Sequence, residues 1–562
     1  MKSIGLIGRT IQSTPPMMEN RVISGGEVAE NNFIHYLLSC STLKEYHFVN
    51  FKDSYNHLNL LRAKLSKANR EKSFILHDKN KVVQENQQLD IDVLFDTYED
   101  FKTLILFRDL HTRNKPPISF IMHGSSDVEA SSAQYPQFLF TPFQKYDSFI
   151  CTSKSYKSLI EKYLGYTSEY FNRSLNADLR YNGRLDIVPL GVDTSVFCPS
   201  SKEEARTKLG LPLDAFIILY HGRIDFFYKA DLLPLLMTVD KLTKQYDHVL
   251  LLISGGDSSA HPHLPSIKRY IEKNHLEKNV VFLPQTENSQ TSIIYNASDV
   301  FTSPVDNIQE CFGITPIEAM ACGCPQVVSD WNGYKETVID GITGFRVPTY
   351  WCDCDEDISR FPFVDSTREL HVGAMFSHYL LSQSVCVDMD AYLNAFIKLI
   401  ENPQLRNDMS RNSRKHAVET YDWTLVIRQY EDLWAELIRE SHRTQYIKTD
   451  YSSHLYNNRF FKAFQGYPSR ILEEDDILIA AQSLVCHPEG PINFVLHIDA
   501  SKEMLNIDLV QILAYRLRES HPNGISFRDL IAENRNPYSA NQVKRSLMFL
   551  MKRGYESMLH GS

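Results

Sequence analysis

Two series of short, unbroken apolar runs organise most of the chain, and each alternates with segments of helical pattern. The first series holds "SIGLIG", "PISFIMHG", "DSFICTS" and "RLDIVPLG". A polar helix, "SSKEEARTKLGLP", closes it, and a second series follows with "FIILYHGR", "VLLLISGG", "NVVFLPQ", "DVFTSP" and "PQVVSD". Runs that are apolar throughout belong to strands covered on both faces, the condition of a parallel sheet between helical layers. The restart near residue 200 divides the pattern in two. The expected class is therefore α/β, with two doubly wound domains facing a cleft. Ligands bind such sheets at the carboxyl ends of the strands, so the chemistry is sought in the loops after these runs.

The boundaries fall at 1–200 for the first domain and 201–422 for the second. Residues 423–440, "WTLVIRQYEDLWAELIRE", have apolar positions at helical spacing and are expected to cross back to the first domain. A polar, tyrosine-rich stretch over 441–464 has the composition of a linker. Residues 465–562 form a separate, mainly helical unit, with helices predicted in "NIDLVQILAYRLRES", "ISFRDLIAEN" and "SANQVKRSLMFLMKRGYES". The last of these starts at Ser539, keeps Val543, Leu547 and Leu550 on one face and stops at Gly554.

A chain of 562 residues is too long for one core. Its net charge of −10 argues against a general affinity for nucleic acid or anionic membrane. No apolar run approaches the roughly 18 residues of a membrane span, and "MKSIGLIGRT" is too short for a signal peptide, so no membrane span and a cytoplasmic location are expected. The ten cysteines are too sparse for a disulfide scaffold. Cys322/Cys324 and Cys352/Cys354 leave one residue between thiols, whereas zinc knuckles leave about two to four. Reduced thiols are the plainer account, and no metal site is expected.

The stretch "SPVDNIQECFGITPIEAMACGCPQVVSD" carries Glu310 and Glu318, eight positions apart. On one straight helix that spacing turns the side chains by about 80°, and Gly313 and Pro316 oppose such a helix. The pattern instead predicts a helix with Thr315 as N-cap and Pro316 at its first position. Glu318 then completes a capping box, and Glu310 lies in the loop ahead. The same helix start, at a strand end behind a glycine, is also an anion site. In "FIILYHGRIDFFYKADLLPLL" the strand ends in Gly222-Arg223, with Lys229 six residues after the arginine. An arginine fork and a lysine point charge at a sheet mouth suit a diphosphate.

Together "ECFGITPIEAMACGCPQVV", "GRIDFFYKADLL", "IVPLGVDTSVFCP" and "DGITGFRVP" resemble the retaining, nucleotide-sugar-dependent glycosyltransferases of family 4. The resemblance covers roughly residues 1 to 440. It implies the GT-B fold of two Rossmann-like domains, and a hexosyltransferase that uses a nucleotide diphosphate sugar as co-substrate without cofactor or metal. Carried onto these positions, Glu318 binds the ribose hydroxyls and Glu310 the transferred sugar. Phe312, Gly313, Ile314 and Thr315 lie along the donor sugar and distal phosphate, and Arg223 and Lys229 neutralise the diphosphate. Gly25 and Gly26, in "ISGGEVAENN", fit the family's glycine loop. His123, ending "PISFIMHG", resembles its strand-end histidine near the sugar. The implied catalytic set is Arg223, Lys229, Glu310 and His123. Ser153 and Lys154 stand at a strand end facing the cleft.

Two segments depart from the family. Pro284 in "FLPQTENSQ" stands near a position where relatives have glycine. "YWCDCDEDISRF" is an acidic insertion, whose Asp353 and Asp355 mimic a metal motif on the wrong element. The last unit resembles a winged-helix module, but the chain ends too soon after Gly554 for a full wing. Lys544, Arg545, Lys552 and Arg553 form the wet face of its last helix, so docking of a protein or peptide, or self-association, is favoured over nucleic acid. Besides a transferase to an unidentified acceptor, two readings stay open: a GT-B sugar phosphorylase, and a nucleotide-sugar-sensing DNA-binding regulator.

Overall fold

The computed structural model describes residues 1–7, 25–50, 72–97, 101–122, 134–257, 262–283, 288–352, 378–450, 459–486 and 505–558. The chain divides into two compact units, Met1–Lys448 and Thr449–Ser562.

The first unit holds two parallel sheets. In the first, β1 (Ser3–Ile7), β2 (Glu45–Asn50), β3 (Ser73–Asp78), β4 (Val93–Asp96), β5 (Ile118–Ile121), β6 (Ser148–Cys151) and β7 (Arg184–Ile187) lie in the order β3-β2-β1-β4-β5-β6-β7. Strands β1, β4, β5 and β6 are buried along their whole length, as unbroken apolar runs require. The second sheet holds β8 (Phe216–His221), β9 (Val249–Ser254), β10 (Val280–Leu283), β11 (Val300–Ser303), β12 (Gln326–Ser329) and β13 (Gly344–Val347), in the order β10-β9-β8-β11-β12-β13. The Rossmann-like, GT-B pair of domains is thus present. In the second sheet the order reverses between β8 and β11, which are hydrogen-bonded neighbours. That reversal opens a crevice at their carboxyl ends, where Arg223 and Glu310 follow. A short antiparallel pair, β14 (Thr349–Trp351) and β15 (Val385–Val387), flanks the acidic insertion. Asp353 and Asp355 lie outside the described residues, as does Pro284.

The helix Trp423–Arg443 leaves the second domain and packs on the helix Gly25–Cys40 of the first. Its Trp423 stacks on Tyr36 with ring centroids 5.5 Å apart, and Tyr430 meets Phe33 edge-on at 4.8 Å. Farther along, the Trp434 indole N–H donates to the Ser119 hydroxyl at 2.7 Å, and both residues are fully buried. The chain stays on the first domain beyond the helix: the Tyr446 hydroxyl donates to Asp109, and the Gln144 amide bonds both backbone groups of Ile447. Trp434→Phe keeps the apolar ring but leaves the Ser119 hydroxyl without this bond. It is expected to lower stability by about 1–3 kcal/mol in chemical denaturation, the usual cost of an unsatisfied buried polar group.

The second unit carries the three predicted helices, Ile507–Glu519, Phe527–Glu533 and Ala540–Lys552, around a core that includes Leu513, Leu530 and Leu547. Ser539 caps the last helix in a capping box with Gln542, and Val543, Leu547 and Leu550 are buried on one face. A small sheet, unread in the sequence, joins them: β16 (Ile477–Ala480), β17 (Ile525–Ser526) and β18 (Glu556–Met558), in the order β17-β16-β18. One strand, β18, follows Gly554 and pairs with β16, which precedes the helices. Among the described residues, no helix is long and apolar enough to cross a membrane.

Candidate functional site

At the end of β8 the Tyr220 hydroxyl donates to the Arg223 carbonyl at 2.8 Å, and the Arg223 guanidinium stands 3.6 Å from Asp225. Asp225 shapes the turn that follows. Its carboxylate accepts from the amides of Phe227 and Tyr228 at 3.0 and 3.2 Å, and its carbonyl accepts from the Lys229 amide at 2.9 Å. This turn folds Lys229 back over the strand end toward the loop that leaves β11. There the Asn307 side-chain amide donates to the Phe227 carbonyl, and the Trp331 indole donates to the Asn307 carbonyl at 2.9 Å. The two loops are thereby tied together.

The Lys229 ammonium meets Glu310 at 3.0 Å. Burial alone would raise the Glu310 carboxyl. The adjacent Lys229 charge and hydrogen bonds from Lys229 and the Phe312 amide outweigh it and hold the group below the usual carboxylate value. Glu310 is therefore an acceptor at neutral pH, able to take hydroxyl hydrogens, while Lys229 offers its remaining donors to an anion.

The helix after this loop starts two residues earlier than its sequence pattern predicts. It runs Ile314–Ala321 with Gly313 at the cap position, and no side chain caps it. The capping box is absent, a correction to the Thr315 reading. The reason is local: Gly313 has φ +88°, and a Cβ there would lie 2.2 Å from the Tyr334 ring. The chain can turn sharply at Gly313 and enter the helix at once. The Tyr334 hydroxyl meets the Ser303 hydroxyl at 2.9 Å, and Glu318 faces Tyr295, whose hydroxyl donates to its carboxylate at 2.9 Å. Burial pushes the Glu318 carboxyl up to about 7, against the lowering effect of that hydrogen bond. The amides at the start of the helix have no side-chain cap, and such a helix start is a favourable place for phosphate.

Arg223, Lys229 and Glu310 are therefore brought together, and Gly313, Ile314, Thr315 and Glu318 lie on the helix start that follows the same loop. Phe312 has a supporting place: its ring is buried and packs on Tyr421 with centroids 6.0 Å apart. Gly25 and Gly26 begin the helix Gly25–Cys40. His123 lies outside the described residues. Ser153 caps the helix Lys154–Leu175 and reaches across to the Cys311 carbonyl. Cys322 and Cys324 are buried, and burial pushes the Cys324 thiol up to about 12. Among the described residues, no three His, Cys, Asp or Glu side chains are grouped to hold a metal. Tyr295, Asn307 and Tyr334 were not singled out from sequence. Each acts on a partner 21 or more positions away, and no local spacing marks them.

Residues 201–361 match the family model described as Glycosyl transferases group 1. A D-inositol 3-phosphate glycosyltransferase of Mycolicibacterium smegmatis is 30% identical over 251 residues, 44% of this chain and 55% of that protein. The enzyme of the same name from Mycobacterium bovis is 31% identical over 182 residues, 32% of this chain and 36% of its own. The chain thus spans about half or less of the length of these relatives. Among solved structures, the Anabaena protein HepE in complex with UDP aligns with a TM-score of 0.50 at 14% identity, over 78% of this chain and 100% of that one. A glycosyltransferase from Rickettsia africae aligns at 0.50 and 15% identity, over 78% and 99%. These likenesses agree with the two-domain fold. Over residues 201–361, within its second domain, this chain is similar to the group 1 glycosyl transferases.

Proposed function

We propose that the chain transfers a sugar from a nucleotide diphosphate sugar to an acceptor hydroxyl, with retention at the anomeric carbon. The observation that carries this reading is the Lys229–Glu310 pair at the reversal of strand order, beside the uncapped start of the helix that bears Glu318. The leaving group is a nucleotide diphosphate, so catalysis needs positive charge where the negative charge grows. Arg223, Lys229 and the amides after Gly313 supply it. Glu310 orients the sugar through its hydroxyls, and Glu318 accepts from the ribose. Glu310 is already paired with Lys229, so its role is that of a hydroxyl acceptor. Attack then comes from the face the diphosphate leaves, with a departing phosphate oxygen taking the acceptor proton.

UDP is the first nucleotide to try, because HepE was solved with it. Inositol phosphates belong in the acceptor screen on the strength of the relatives' names. The test is transfer from UDP-glucose to an acceptor panel, with the product's anomeric configuration read by NMR. Retention, with activity that persists in a chelator, is expected. An inverted product contradicts the mechanism, and phosphate-dependent sugar release without nucleotide favours the phosphorylase.

A further inference from the structure

The loop that carries Glu310 is gripped from the opposite domain. Strand β6 of the first domain ends at Cys151, and Ser153 caps the helix Lys154–Leu175. The Ser153 hydroxyl accepts from the Tyr156 amide at 3.1 Å and donates across the cleft to the carbonyl of Cys311, the residue after Glu310, at 2.8 Å. The first two amides of the same helix are also met from the other side. Glu336 accepts from the amides of Lys154 and Ser155 at 2.7 and 3.2 Å. A carboxylate from the second domain thus sits at the positive end of a first-domain helix.

Glu336 belongs to the short helix Tyr334–Thr337, and the turn before it is bound to the same loop. The Ser155 hydroxyl donates to the Asn332 carbonyl at 3.3 Å, while the Asn332 side-chain amide donates to the Glu310 carbonyl. Gly333 lets this turn lie flat on the loop: a Cβ there would fall 2.5 Å from the Phe312 Cα and 2.8 Å from the Cys311 oxygen. The Tyr421 hydroxyl reaches the Glu336 carbonyl at 3.2 Å, and Tyr421 pairs through its own carbonyl with Val192 where the chain crosses between the domains. Crossing point, Glu336, first-domain helix and Glu310 loop form one hydrogen-bonded circuit.

We propose that Ser153 and Glu336 are positioning residues that hold the Glu310 loop in its working geometry only when the two domains are closed on each other. Neither side chain contacts the donor-binding carboxylate Glu318 or the Lys229 ammonium, so their loss acts on the sugar end of the site. Nucleotide affinity, set within the second domain, stays. The inference rests on the sugar-transferase reading for its kinetic consequence, and its structural consequence stands apart from that reading.

The test uses the full chain and the variants Glu336→Ala, Glu336→Asp, Ser153→Ala and Ser153→Thr. With UDP-glucose hydrolysis as the assay, the alanine variants should lose about ten- to a hundredfold in kcat, the scale on which displaced reacting groups cost rate. The KM for UDP-glucose and the affinity for UDP should stay within about twofold, a change worth well under 1 kcal/mol. Glu336→Asp and Ser153→Thr, which keep the acceptor or donor atom, should recover part of the rate. Hydrogen exchange gives a readout that needs no donor: Glu336→Ala should deprotect residues 310–314, and Ser153→Ala should deprotect residues 334–337. Unchanged kcat in both alanine variants overturns the proposal, as does exchange that rises only beside each substitution. If the wild-type protein turns over no UDP-glucose, the functional reading is in question, and the exchange result alone decides the circuit.

Discussion

Lys229→Ala is expected to lower the turnover of nucleotide-sugar cleavage by about 10²–10³-fold, the range seen when one donor to a developing oxyanion is removed. Two losses combine. The diphosphate loses a cation as its leaving charge grows, which raises the barrier more than it weakens ground-state binding. Glu310, 3.0 Å away, loses the charge that holds its carboxyl low, so the buried acid drifts up and takes protons. Arg223→Ala removes a cation at the diphosphate but only a smaller part of the charge that holds Glu310 low, and should cost less. Steady-state kinetics on the two variants, with donor affinity measured separately, checks the order. A Lys229→Ala enzyme with wild-type kcat would remove Lys229 from the mechanism.

Nucleotide binding should depend on pH through Glu318. Burial pushes its carboxyl up to about 7, against the lowering effect of the Tyr295 hydrogen bond. Only the ionised form can accept two hydroxyl hydrogens, so the bound state favours the carboxylate. Well above pH 7 the group is already charged and binding moves no proton there. Below pH 7 a proton must leave, so affinity falls toward about tenfold per pH unit and binding releases up to one proton per site. Burial and nearby Asp231 push Asp306 up to about 8, and the nucleotide's own phosphate also titrates. The quantity to read is therefore the difference between wild type and Glu318→Gln. Calorimetry at pH 6 and 8 in buffers of differing ionisation enthalpy gives it directly. A proton release that is equal in both proteins would place the ribose contact elsewhere.

The parts of this architecture that were legible in sequence are those made by local physics. "FIILY" is apolar throughout because β8 is central, with β9 and β11 on either side. "SANQVKRSLMFLM" announces its helix because Ser539 and Gln542 close a capping box within one turn. By contrast, "EYHFVN" and "SFILHD" became β2 and β3 with polar histidines inside them. His47 and His77 meet at 2.9 Å across the strands, so each supplies the other's partner. No reading of either run alone could provide that. The site shows the same division. Arg223, Lys229 and Glu310 stood out as charges in loops after strands and Glu318 as a charge in the helix that follows, whereas the capping-box reading of Thr315 failed because the chain enters the helix already at Gly313. Tyr334 packs against Gly313, and the Tyr295 hydroxyl bonds Glu318. Ser153 was noticed only as a strand-end residue; its bond to Cys311 spans 158 positions and exists only once both domains are built.

The most direct measurement is calorimetric titration of the full chain and of Glu318→Ala with UDP, GDP, ADP and dTDP at pH 8. The account predicts that one nucleotide binds the wild type selectively. Its affinity should fall about 10- to 150-fold in the variant, the equivalent of about 1.5–3 kcal/mol for hydrogen bonds to a charged group. Equal affinity in the two proteins, or no binding of any nucleotide to the wild type, would contradict it.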